Sequence, residues 1–301
     1  MAGVTESPKG EEPEVVSLVL ATLFSGVQPD PWPDPHPLAV RTALEWQQVG
    51  THAVFAELHG TTHGLPRGRL AELIGRIAST GEQLGLSWTC EQDMRRWLAP
   101  DAQERDSWAV PARALAEITG YYAISAGHGV ANVTLRSLLV QPEAAAVINQ
   151  DKDLKRAKGF DPFSTVPAAW VPLNEKVATV LLNAAAGRGA AQEMAELVVA
   201  LTRDARWVAL TNRRHVDFHR WRPQSVSGGV ATSNPWESTD TGSYSLTMYG
   251  RSQHEPPNTS ELIAEASDGL EALAECMERW LDVWPSAIRD LGVPLFKDEE
   301  A

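Results

Sequence analysis

The stretch 211–223 reads Thr-Asn-Arg-Arg-His-Val-Asp-Phe-His-Arg-Trp-Arg-Pro and gathers two imidazoles, four guanidiniums, an amide and a carboxylate. Across 203–222 the arginines 203, 206, 213, 214, 220 and 222 face only Asp204 and Asp217, a local balance of +4 in a chain of net charge −13. Such a set suits metal-independent cleavage of RNA. That reaction needs a base for the 2′-hydroxyl proton, an acid for the leaving oxygen and a cation for the charge that builds on phosphorus. Imidazoles near neutral pKa can move the protons, and a permanently charged, fork-shaped guanidinium can hold the phosphate.

Spacing decides which groups can cooperate. His215 and His219 are four apart and share one face of a helix, with Asn212 three before His215. Arg214 and His219 are five apart, about 140° around a regular helix. They converge if the helix loosens before Pro223, or if each protomer of a dimer supplies one of them.

The string Arg214-His215-Val216-Asp217-Phe218-His219 resembles the motif of the HEPN superfamily of helical nucleotide-associated proteins. That motif is an Arg, then a polar residue (often Asn, Asp or His), then three residues and a His. The resemblance covers about residues 172–292 and implies a helical bundle that dimerises, its motifs facing each other to form a composite ribonuclease site. It further implies RNA as partner and a toxin–antitoxin, abortive-infection or antiphage role. Arg214, His219 and His215 would be catalytic, while Asn212, Arg213, Arg220 and Arg222 would bind the substrate. A structural reading competes: arginines in a last helical turn meet the negative end of the dipole, Trp207 and Trp221 would be core anchors covered by Arg206, Arg220 and Arg222, and Asp204 and Asp217 would pair with those arginines.

These residues must be positioned by helices. Residues 38–50, 67–84, 91–98 and 109–140 carry helical apolar spacing, with Gly127 and Gly129 expected to interrupt the last or to allow close packing. Residues 174–186 form a further pattern bounded by Gly187 and Gly189, and 190–218 is the longest clean one. A last helix runs from Thr259 or Ser260 to about Leu291. The 226–257 region holds turn signals and one short alternating run, 244–249. The expected fold is all-α, a bundle of about eight helices with one irregular excursion near 226–257. Residues 1–37 comprise a polar, disordered start, a first helix and a connector with prolines at 29, 31, 33, 35 and 37. Residues 38–141 form an N-terminal helical region, 142–171 a Pro-bearing connector, and 172–301 a C-terminal helical region able to share one domain with 38–141.

Composition narrows the function classes. The 301 residues are 43% apolar and 22% charged, ordinary for a globular chain able to bury a core. The acidic balance argues against whole-surface nucleic-acid binding and leaves a local basic groove open. Two cysteines, Cys90 and Cys276, suit a reducing compartment and read as packed thiols. No signal peptide and no long apolar span is read, so a cytoplasmic protein without membrane contact is expected.

Other clusters carry less. His59 and His63 are four apart with His52 nearby, but Gly60 and Gly64 oppose a rigid helix, and no metal is expected there. His128 reads as a packed histidine. Gly187-Arg-Gly189 lacks the context of a phosphate loop, and no cofactor motif is present. Eleven tryptophans suggest a core of large side chains, Trp280 and Trp284 packing as a pair. A second class of function therefore stands beside RNA binding. It is a non-enzymatic helical interaction or scaffold protein that uses a Trp-rich surface and the 226–257 loop to hold a protein partner.

Overall fold

The computed structural model describes residues 34–43, 69–98, 109–151, 154, 170–219 and 259–292. Helix dominates them and no strand occurs among them, in agreement with the all-α expectation. After a helical segment at 37–43 come α1 (Arg69–Trp97), α2 (Ala109–Leu138), α3 (Pro142–Ile148), α4 (Glu175–Ala185), α5 (Gly189–Arg203), α6 (Ala205–His219) and α7 (Thr259–Asp290). The chain divides into Met1–Asp34 and Pro35–Ala301. The 226–257 excursion, Arg220, Arg222 and the 52–63 histidines lie outside the described residues.

The helices differ from their sequence patterns where packing overrides local signals. The two patterns at 67–84 and 91–98 are one continuous α1. The intervening Gly85 and Ser87 do not end it, because Ser87 is buried and donates to the Thr119 carbonyl of α2 at 2.8 Å. Gly127 and Gly129 do not interrupt α2. They let large neighbours approach: a Cβ at Gly127 would lie 2.4 Å from the Trp207 ring. The connector at 142–171 begins with a helix, α3, started by Pro142 at its first position and capped by Gln141, whose side chain accepts the Ala144 N–H at 2.8 Å. The 190–218 pattern is two helices, broken at Asp204, whose extended backbone (ψ 125°) ends α5.

α2 and α7 form the centre. α7 packs on α1, α2, α5 and α6, and α2 packs on α1 as well. The apolar spacing of α7 places Leu270, Leu273, Met277, Trp280, Leu281, Trp284 and Ile288 in the core. Trp280 and Trp284 pack as the spacing predicts, their rings 6.4 Å apart. Each buried indole N–H needs an acceptor. Trp280 donates to Thr134 Oγ1 at 3.0 Å and Trp284 to Ser137 Oγ at 3.3 Å, both on α2.

A second polar seam runs along α2. His128, Asn132 and Arg136 stand four apart and face the extended residues 170–174. Asn132 acts as a short strand edge: Oδ1 accepts the Val171 N–H at 3.1 Å and Nδ2 donates to the Val171 carbonyl at 2.8 Å. His128 Nδ1 accepts the Leu173 N–H at 2.9 Å, the packed role expected of it. Arg136, fully buried, donates to Asn132 Oδ1 at 2.8 Å. The guanidinium carbons of Arg76 and Arg136 lie 5.2 and 5.7 Å from the Trp170 ring centre. The seam fixes residues 170–173 ahead of α4, whose first turn is capped by Asn174 Oδ1 accepting the Val177 N–H at 2.9 Å. The far end of α7 starts another helix: Asp290 Oδ2 accepts the Ala190 N–H of α5 at 2.7 Å.

Candidate functional site

α6 carries the basic segment, and its first half is built for the fold. Asp204 Oδ1 accepts the Arg206 N–H at 2.8 Å and so caps the helix. Trp207 is 2% and Leu210 5% exposed. Leu210 reaches α7 at Gly269, where a Cβ would lie 2.6 Å from its Cδ2. Any larger residue at 269 would push α6 off α7.

The arginines from the end of α5 to the middle of α6 are each met by carboxylates. Arg203 Nε lies 3.2 Å from Glu175 of α4. Arg206 Nη2 donates to Asp204 Oδ2 at 2.9 Å and to Glu275 Oε2 of α7 at 2.6 Å, with Glu271 at 3.6 Å from Nη1. Hydrogen bonds from Arg206 hold the carboxyls of Asp204 and Glu275 below the usual range. Arg213 grips Glu265 of α7 through two parallel bonds, Nε to Oε2 at 2.6 Å and Nη2 to Oε1 at 2.7 Å. The pairing of Asp204 with a neighbouring arginine was legible from sequence. Glu265, Glu271 and Glu275 were not, since they lie more than 50 residues away and only their shared acidic face on one helix hinted at a basic partner.

The candidate residues divide by helical register. α6 is unbroken to His219, so the loosening that would let Arg214 and His219 converge within one chain is not seen. Val208 and Asn212 are exposed, while the side chains of 214–219 lie outside the described ones. On an ideal helix Asn212, His215 and His219 share one strip and Arg214 is about 140° from His219. Arg213 belongs to the α7 contact. Among the described residues no group of three or more His, Cys, Asp or Glu side chains is placed to hold a metal ion. No described helix is long and apolar enough to cross a membrane.

The cysteines sit away from this helix face. Cys276 is buried and donates weakly to the Leu197 carbonyl at 3.5 Å. Burial pushes its thiol up to about 12, and the partly buried Cys90 up to about 11.

Compared with known proteins, the chain matches no family model, no curated protein and no solved structure.

Proposed function

We propose that this chain is a HEPN-like helical protein that binds RNA through the C-terminal half of α6, with cleavage as the activity to be tested. The observation that carries the reading is that α6 runs as one helix to His219, with Val208 and Asn212 exposed on it. An amide and two imidazoles at helical spacing of three and four would offer hydrogen bonds to phosphate and proton transfer to a 2′-hydroxyl. Arg214 and His219 are five apart, about 140° on an ideal helix, so a site using both draws one from each of two copies, and the working form in this reading is a homodimer. Arg220 and Arg222 would add positive charge for the RNA backbone. With Arg213 held by Glu265, its role shifts from guiding substrate to holding α6 on α7.

A second reading has its own observation. Arg203, Arg206 and Arg213 are neutralised by Glu175, Asp204, Glu275 and Glu265, which weakens phosphate attraction from the end of α5 to the middle of α6. It favours a non-enzymatic helical protein that holds a protein partner.

The test is incubation of the protein with total RNA in EDTA, beside an Arg214→Ala/His219→Ala variant of equal thermal stability. Cleavage by the native sequence alone supports the ribonuclease. Intact RNA together with salt-insensitive or absent RNA binding moves the conclusion to the partner-holding protein.

A further inference from the structure

The helical segment 37–43 lies across α1 at two glycines four residues apart, which share one face. A Cβ at Gly85 would lie 3.1 Å from the Ala39 methyl, and one at Gly81 only 1.7 Å from the Thr42 hydroxyl. Leu38 and Thr42 are buried beneath the segment. Arg41 reaches Asp282 of α7 at 2.8 Å. The segment is therefore seated by small-residue contact, one buried leucine and an ion pair.

Its start depends on one imidazole. His36 Nδ1 accepts the Leu38 N–H at 3.1 Å, and the ring stands edge-on to Trp88 of α1, centres 4.9 Å apart at 81°. Accepting that bond requires an unprotonated Nδ1. A proton there replaces the acceptor with a donor aimed at another donor and sets a positive charge at the positive end of a helix. The neighbouring groups are Trp88, which carries no charge, Asp34, two residues before the ring, Asp282, engaged by Arg41, and Glu278 of α7, which favours the imidazolium. Burial lowers the His36 pKa below 6.5 and outweighs the opposing pull of Glu278.

We propose that residues 36–43 form an acid-released arm, seated on the Gly81 and Gly85 face of α1 while His36 is neutral and detaching when it is protonated. A depressed imidazole pKa means that the seated state is fully favoured above about 6.5 and loses that advantage as the pH falls. Uptake of one proton raises the opening equilibrium by up to about tenfold per pH unit.

Amide hydrogen exchange of residues 38–43 in the full chain, corrected for intrinsic rates between pH 7.5 and 5, tests this. The native sequence should lose protection as the pH falls. His36→Asn, which keeps an acceptor at the helix start and does not titrate, should hold its protection across the range. Glu278→Gln should release the arm more strongly on acidification, because the charge that eases a seated imidazolium is gone. Equal pH profiles for the native chain and His36→Asn, or weaker acid release in Glu278→Gln, would overturn the proposal.

Discussion

The bond between Arg213 and Glu265 decides how much of the basic segment is free for a ligand. Both side chains are about three-quarters covered, at 25% and 27% exposure, and the two bonds of 2.6 and 2.7 Å match the guanidinium fork to the carboxylate. Fully exposed ion pairs contribute about 0–1 kcal/mol, and hydrogen bonds to charged groups about 1.5–3 kcal/mol. A partly covered bidentate pair falls between, so a coupling of about 1–2 kcal/mol is expected. The assay is a double-mutant cycle of Arg213→Gln and Glu265→Gln, read by urea unfolding. The cycle removes other contacts of either residue from the coupling. In thermal melts of a chain of this length the same energy amounts to a shift of about 2–3 °C. In parallel, RNA binding is measured against salt. An arginine that serves the fold leaves the salt slope unchanged when replaced, whereas one that contacts phosphate lowers it by about one. A coupling under about 0.5 kcal/mol together with a slope reduced by one would refute the structural assignment of Arg213 and return it to the RNA site.

Two further outcomes follow from the core. Asn132→Ala strands the Val171 N–H and carbonyl and one Arg136 donor. It should cost about 3 kcal/mol in urea unfolding and speed amide exchange at 171–173 before the rest of the bundle opens; a loss under about 1 kcal/mol would show that the seam is not what seats this segment. Cys276, near 12, and Cys90, near 11, hold almost no thiolate at pH 8. Alkylation by iodoacetamide should therefore follow unfolding, and rapid labelling of either in the folded chain would contradict the described burial.

The bundle itself was legible because helices announce themselves by apolar period, and α4, α7 and the Trp280–Trp284 pair follow from spacing alone. The errors lie where a tertiary contact settles a locally ambiguous signal. The 67–98 region reads as two helices because glycine and serine lower local propensity. The Ser87 bond to α2 and the buried Leu84 hold it as one. The break at Asp204 is short, and the flanking apolar periods nearly match across it, so the sequence offers one helix where there are two. The α3 helix was hidden in a polar stretch, although Gln141-Pro142 is a start signal in retrospect. For the candidate site, the basic character of α6 was visible and its destination was not. Arginine reads alike whether its partner is a phosphate or a glutamate on another helix, and only the position of α7 distinguishes them. The Asn132 seam could have been found, since three polar residues at fourfold spacing are anomalous in an Ala-rich helix.

The place of α7 in the core has a bearing on synthesis. It follows every other described helix in chain order, yet it packs on α1, α2, α5 and α6 and supplies the Asp290 carboxylate that starts α5. On the ribosome, α1 to α6 emerge with the apolar faces meant for α7 open to water and with the first turn of α5 uncapped. At about 5–20 residues per second, the stretch from the end of α6 to the end of α7 takes several seconds to appear. During that interval the nascent chain presents a helical half-core, and the described bundle can close only once α7 has emerged.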